Sequence, residues 1–449
     1  MKSTLPQNLI ALAEKCPYPL YVVGGRVRDF LAGISASAYD NDICAPASAE
    51  DFVERAKAAG FNINAVYKNT GTVKLTCGGE DYEFTCFRSD EYVRGEHKPI
   101  KTYFTNDIML DALRRDFKCN AVYYDICGGQ FVDPLGGIAD IGAKRVTTVA
   151  DPDKVFGEDG LRLMRLARIS AQTGFTPVKA CLDGARHNAR LIGDVSAERV
   201  FSELCLILSA DKKYGVEGAQ YAGLEILKET GVLARILPEL ACGENMSQRG
   251  DIHKYDVLEH SLRTVLYADE SVRLAALLHD IGKPRCMLDN GNYYRHEVVG
   301  EGIAKQVCAR LKAPRKLTER VAALVRLHMY DLLCDAKENK VRKFIVKNLP
   351  LFEELMLLKQ ADFSACRDDL SPAPVVVKMR GILAKMRAEG VPLTVKELAV
   401  RGDELIAAGF PKERISAILE GLLLDCCINH VENGRDKLLK HALTVANKN

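Results

Sequence analysis

Tyr21-Val22-Val23 is a short unbroken apolar run closed by Gly24-Gly25, the pattern of a buried strand that ends in a tight turn. Further apolar runs and alternations predict strands at 74–77, 82–87, 121–124 and 129–132. Between them the spacing predicts a helix near 49–59 and an irregular polar stretch over 88–105. Beyond Val155 the apolar period becomes that of helices and stays so almost to the end, with Asp151-Pro152-Asp153 marking the change. Stretches 243–251 and 369–374 read as connections. The expected fold class is α+β: an α/β head followed by a long all-α body.

Composition adds boundaries. A chain of 449 residues is too long for one ordinary domain. At 47% hydrophobic and 27% charged it has the balance of a soluble globular protein. No apolar run approaches the roughly 18 residues of a membrane span, so no membrane partner is expected. The N-terminal Met1-Lys2-Ser3-Thr4-Leu5-Pro6 lacks a signal-peptide core. Fifteen cysteines, an odd number with no Cys-x-x-Cys spacing, argue against a zinc ribbon or a secreted disulfide framework. They read as buried thiols in a reducing cytoplasm. The net charge of +2 does not announce a nucleic-acid partner. Residues 301–350 carry 12 Lys and Arg against 5 Asp and Glu, which suits either a solvated helical face or a phosphate-backbone surface.

Chemistry concentrates first around the strand 21–23. Gly24-Gly25 lets backbone N–H groups approach a ligand, and Arg28 adds a cation where a helix should begin, together a phosphate cradle. Asp40-Asn41-Asp42 places two carboxylates at i and i+2, on one face of a strand, where hard oxygen ligands suit Mg²⁺. Glu83 is either a third carboxylate beside them or an ordinary residue on a polar strand face. Arg114-Arg115-Asp116-Phe117, with Asn120 four residues on from Asp116, supplies guanidiniums for phosphate. Asp133-Pro134-Leu135-Gly136-Gly137 reads as a structural turn closing the sheet. Glu158-Asp159-Gly160-Leu161-Arg162 is expected to open a helix, with Arg165 and Arg168 following. Asp159 and Arg162, neighbours at i and i+3, can then present an acceptor and donors to a nucleobase edge without a template.

A second set lies mid-chain. His260, His279-Asp280, His296 and His328 are potential metal ligands in helical surroundings. An apolar helix at 274–278 delivers His279-Asp280, and Gly282-Lys283-Pro284 is expected to end it. Imidazoles and a carboxylate so arranged suit a metal that activates water.

Gly24 to Asp29, Asp40 to Asp42, Arg114 to Asn120, Asp133 to Gly137 and Glu158 to Arg168 occur in one order. Together they resemble the class II nucleotidyltransferases, the family of bacterial tRNA CCA-adding enzymes and poly(A) polymerases. Ser196-Ala197-Glu198-Arg199 resembles that family's next helical motif, and Val400-Arg401-Gly402-Asp403-Glu404-Leu405 its tail motif. The histidine set resembles the HD phosphohydrolase domain, with Asp362 matching its final ligand and His296 and His328 the extra histidines of two-metal members. Lys118-Cys119 and Gly160 depart from the family's common residues without removing a proposed ligand.

The resemblance implies a polymerase-beta-like head over 1–150 and a helical neck over 151–245. An HD domain over 246–365 and a tRNA-binding helical tail over 366–449 follow. It implies addition of CCA to tRNA 3′ ends from CTP and ATP in the cytoplasm, by template-independent two-metal transfer. Asp40 and Asp42 would bind Mg²⁺, with Glu83 as the candidate third carboxylate. Gly25, Arg28 and Arg115 would hold the triphosphate, with Asp116 and Asn120 at the same nucleotide site. Asp159 and Arg162 would pair with the base, supported by Arg165 and Arg168. His260, His279, Asp280, His296, His328 and Asp362 would hold Mn²⁺, Ni²⁺ or Fe²⁺. The alternatives are an A-adding, CC-adding or poly(A)-forming enzyme, or an HD phosphohydrolase acting on RNA ends or nucleotides. Oligomeric state is left open.

Overall fold

The computed structural model describes residues 1–35, 41–92 and 100–446. Asp40 therefore lies outside the described residues. The chain divides into two compact units, Met1–Cys242 with Val307–Ala313, and Gly243–Gln306 with Pro314–Asn449.

The first unit begins with a mixed sheet. Its strands are β1 (Tyr21–Val23), β2 (Asn41–Ala45), β3 (Asn62–Tyr67), β4 (Thr72–Cys77) and β5 (Glu80–Cys86). Next in the chain come β6 (Arg88–Glu91), β7 (Lys101–Phe104), β8 (Tyr123–Asp125) and β9 (Phe131–Val132). Seven of them form one sheet in the order β3-β4-β5-β2-β1-β8-β9. The β2–β5 pair is parallel and every other pairing in that sheet is antiparallel. Its buried face gathers Val23, Cys44, Phe87, Ala121 and Tyr123 into a core.

Two expectations need correction here. The stretch 88–105 is not irregular at its ends, because β6 and β7 pair antiparallel from Arg88 opposite Phe104 to Glu91 opposite Lys101. β3 carries no expected strand signal: most of its residues are exposed, so no alternating apolar face marks it. Past the sheet the unit turns helical. The helix Leu161–Thr173 buries eleven of its thirteen residues, leaving only Arg165 and Arg168 less covered.

The second unit is helical. Val257–Tyr267 packs on Arg273–Leu278 and on Phe352–Arg367, and Arg315–Leu327 joins the same group. The helix Arg273–Leu278 ends before His279, and Gly282-Lys283-Pro284 opens the next helix, Lys283–Asn290, rather than closing the previous one. Proline fits there because the first turn has no use for its missing N–H. No helix among the described residues is long and apolar enough to cross a membrane. Every cysteine is a free thiol, with Cys127 and Cys242 exposed instead of buried.

Candidate active site and metal centre

β1 ends at Gly24, whose φ of +81° belongs to a region that side-chain-bearing residues rarely enter. Space forbids a side chain as well, since a Cβ there would stand 3.0 Å from Asp42 Oδ2. The turn thus brings backbone against the β2 carboxylate. Strand alternation sends Asn41 to the other face, where it accepts from Arg26 and donates to the Asp81 carbonyl at 3.0 Å. With Asn41 anchored, Asp42 faces a cleft of about 540 Å³. Glu83 is its register partner across the parallel β2–β5 pair and lines the same cleft. Glu83 also lies 3.8 Å from Lys74 Nζ, both side chains about half exposed.

The cleft is walled by arginines, most of them already held. Arg28 is buried, donating from Nε and Nη2 to Asp29 Oδ1 at 2.9 and 2.6 Å and from Nη1 to Asn120 Oδ1 at 2.8 Å. Asn120 donates on to Asp116 Oδ1 at 3.3 Å, and Arg165 Nε donates to Asp116 Oδ2 at 2.7 Å. Burial alone would raise the Asp116 carboxyl, but Arg165 outweighs it and holds that pKa at about 2. Arg168 pairs with Glu203 at 2.7 Å.

Sequence reasoning passed over Asp111. It is fully buried and accepts from Arg114 Nε at 2.7 Å, Arg115 Nη2 at 3.0 Å and the Tyr123 hydroxyl at 2.7 Å. Arg115 and Arg114 overcome the cost of burial and hold its pKa at about 2. The signal was present as a carboxylate three and four residues before two arginines.

Asp159 and Arg162 both line the cleft, but not as neighbours on one helix. One helix ends at Glu158 and the next begins at Leu161, leaving Asp159 extended in the break. Asp159 accepts from the Leu161 N–H at 3.0 Å and from Arg199 Nη2 at 3.1 Å. Arg162 is buried and donates to the Val155 and Arg114 carbonyls and to Glu158 Oε2, at 2.7 to 2.9 Å. The side-by-side helical pair is corrected to a junction residue and a buried arginine. Glu158 and Arg199 lay inside quoted motifs without being singled out as partners.

The second unit brings all six expected ligands together, each buried. His279, His296 and His328 donate from Nδ1 to the carbonyls of Ala276, Tyr293 and Val325 at 2.7 to 2.9 Å. A carbonyl only accepts, so these tautomers leave Nε2 bare. The bare Nε2 atoms of His296 and His328 face each other at 3.3 Å, an arrangement of two lone pairs that a cation between them would relieve. His260 Nε2 lies 3.0 Å from Asp362 Oδ1 and 3.3 Å from His279 Nε2. Asp280 stands between the pairs, with Oδ2 3.2 Å from His279 and Oδ1 3.1 Å from His296. The donor set could hold divalent metal.

Burial works against charge on His328 and pushes its pKa down to about 4, in keeping with a bare Nε2. Gly282 makes the assembly possible: a Cβ there would stand 2.1 Å from the His296 carbonyl oxygen, so any side chain would push the His296 helix away. Lys283, absent from the expected set, pairs with Asp280 Oδ2 and donates to Gln248 Oε1, both at 2.6 Å.

Comparison with known proteins matches this layout. The poly A polymerase head domain matches residues 20–147, the probable RNA and SrmB-binding site of polymerase A residues 174–243, and the HD domain residues 257–362. These matches liken the chain to the poly(A) polymerase and tRNA nucleotidyltransferase family, with a poly A polymerase head followed by an HD domain. An A-adding tRNA nucleotidyltransferase of Deinococcus radiodurans is 29% identical over 435 residues, covering 90% of this chain and 91% of the relative. A CC-adding tRNA nucleotidyltransferase of Thermus thermophilus is 28% identical, covering 78% and 77%. A multifunctional CCA protein of Burkholderia pseudomallei is also 28% identical, covering 69% and 74%. The Bacillus stearothermophilus CCA-adding enzyme, solved with CTP, shares the fold at a TM-score of 0.71 and 23% identity, covering 98% of each chain. The polymerase-type head and helical body expected from the sequence are those of this nucleotidyltransferase.

Proposed function

We propose that the chain adds CCA to tRNA 3′ ends, taking CTP and ATP in turn, in the cytoplasm. The observation that carries this is the gathering, in one cleft, of Asp42 and Glu83 in register, the held arginines Arg28 and Arg115, and Asp159 with Arg162. Relatives with A-adding, CC-adding and full CCA activity all resemble the chain, so the choice among them belongs to experiment.

Asp42, with Asp40 beside it in sequence and Glu83 across the strand pair, offers the hard carboxylates that Mg²⁺ prefers. Bound there, Mg²⁺ would favour the ionised attacking hydroxyl and neutralise charge on the phosphates. The protein's share is placement. Gly25, Arg28 and Arg115, with Asn120 and Asp116 behind them, set the triphosphate. Asp159 and Arg162 read the base, with Arg165 and Arg168 stiffening that wall. The tRNA 3′ hydroxyl attacks the α-phosphate and pyrophosphate leaves. Positioning and preorganised charge supply most of the rate. The test is incorporation of labelled CTP and ATP onto tRNA ending at the discriminator base, after C and after CC. Ordered C, C, A addition is expected. A on the CC end alone, or C alone, would reassign the chain to a partial-specificity enzyme.

A second activity is favoured by the facing imidazoles of the HD centre. His260, His279, Asp280, His296, His328 and Asp362 would hold Mn²⁺, Ni²⁺ or Fe²⁺ for hydrolysis of RNA-end or nucleotide phosphates. Turnover of a 2′,3′-cyclic nucleotide with one of these metals is expected, and no turnover with any of them would remove the activity.

A further inference from the structure

Arg28 and the residue that completes its setting are far apart in sequence. The short helix Ala210–Tyr214 ends at Tyr214, followed by Gly215 in the left-handed region. Its hydroxyl donates to Asp29 Oδ2 at 2.6 Å and accepts from Arg28 Nη2 at 2.9 Å. Arg28 and Asp29 are joined directly at 2.6 Å, so the three side chains close a ring. The Tyr214 ring also lies 5.9 Å from the guanidinium carbon.

A guanidinium has five N–H donors. In Arg28, Nε–H and one Nη2–H go to Asp29, the second Nη2–H to Tyr214 and one Nη1–H to Asn120. Four of the five are therefore committed, and the guanidinium so fixed lines the cleft. A cation held this way cannot swing to follow a phosphate. It waits at one place, and the ordering cost of the arginine is met before the nucleotide arrives.

We propose that Tyr214 is a positioning residue for nucleotidyl transfer, fixing the Arg28 guanidinium where the triphosphate is bound. This rests on the nucleotidyl-transfer function above. Tyr214 touches no reacting atom; it acts through Arg28 and Asp29. Phenylalanine keeps the ring and its packing but removes both hydrogen bonds, leaving Asp29 Oδ2 without its donor and one Arg28 N–H without its acceptor. The triphosphate is common to CTP and ATP, so the effect must be the same for both.

The experiment compares wild type, Tyr214→Phe, Arg28→Lys and the double variant, in the full chain, for steady-state incorporation of each nucleotide and for direct binding of CTP. Tyr214→Phe is expected to raise KM for CTP and ATP alike by about tenfold, with kcat within about threefold, alongside the modest fall in melting temperature that the two orphaned groups bring. CTP binding should weaken by the same factor. In the Arg28→Lys background the same change should cost less than about twofold, because the partner it positions is gone. Multiplicative losses in the double variant, or a fall in kcat and thermal stability at constant KM, would overturn the proposal by making Tyr214 a general structural residue. If wild type incorporates but Tyr214→Phe binds CTP equally well, only this inference falls. If wild type incorporates nothing, the nucleotidyl-transfer function falls first, and CTP binding still reads Tyr214.

Discussion

Gly24 lies against Asp42 so closely that a methyl group on its α-carbon would stand 3.0 Å from the carboxylate Oδ2. Gly24→Ala would push on the carboxylate and force an alanine into φ +81° and ψ −143°. Backbone strain of that kind costs about 1–3 kcal/mol, and misplacing a catalytic group by about 1 Å costs on the order of a hundredfold in rate. Single-turnover incorporation of CTP should fall by that factor while far-ultraviolet circular dichroism stays native.

Asp42 and Glu83 face the cleft from paired strands but differ in company, since Glu83 has Lys74 at 3.8 Å. Asp42→Asn is expected to lower kcat by about 10²–10³-fold, the scale of losing one principal electrostatic group. Glu83→Gln should act on metal instead, raising the Mg²⁺ concentration needed for half-maximal rate while kcat at saturating Mg²⁺ stays within about tenfold. A Mg²⁺ titration that overlays wild type would leave Glu83 as no more than a partner of Lys74.

Asp111 holds Arg114, Arg115 and Tyr123 from a fully buried position. Asp111→Asn leaves two guanidiniums without their carboxylate, and breaking a buried pair costs about 3–5 kcal/mol. Urea unfolding should report that loss, and KM for both nucleotides should rise because Arg115 is no longer aimed.

Asp111 and Asp116 each have a folded pKa of about 2, against an ordinary value of 3.8. Folding thus favours their ionised forms, and the stabilisation is complete above about pH 4 and lost as pH falls towards 2. At about 1.4 kcal/mol per pH unit, each depression is worth on the order of 2 kcal/mol. Unfolding free energy measured from pH 5 down to pH 2 should decline through that window, and Asp111→Asn should flatten the decline.

The HD centre is expected to take up a pair of Mn²⁺ ions. His328→Ala should remove the ion between His296 and His328 and spare the one between His260 and His279. Elemental analysis after dialysis checks this. Gly282→Ala should abolish both, because the His296 helix is displaced.

The sequence was legible where local chemistry leaves local marks. The turn after β1, Asp42 and the basic cluster at Arg114 are visible as residue types at short spacings, and the clustered histidines and aspartates of the second unit as a recurring set. What stayed hidden depends on distant partners. β3 is an exposed strand, and nothing in Asn62–Tyr67 predicts that it pairs with β4. Asp159 and Arg162 look like one helical face until the break at Asp159 is seen, because Gly160 and Asp159 carry no apolar period to locate it. Asp29 and Tyr214, 185 residues apart, could not be joined by any local pattern.

The parallel pairing of β2 with β5 has a consequence for how the protein comes into being. Parallel neighbours cannot be joined by a tight turn, and here the chain runs through a helix, β3 and β4 before β5 returns beside β2. Asp42 and Glu83 meet only once that excursion has closed. Contacts of such sequence separation form late, after the loop entropy has been overcome. A nascent head halted before residue 80 carries Asp42 without its register partner. Completion of the sheet and assembly of that carboxylate pair are therefore one event, and a chain still folding cannot hold the metal that its finished form would use.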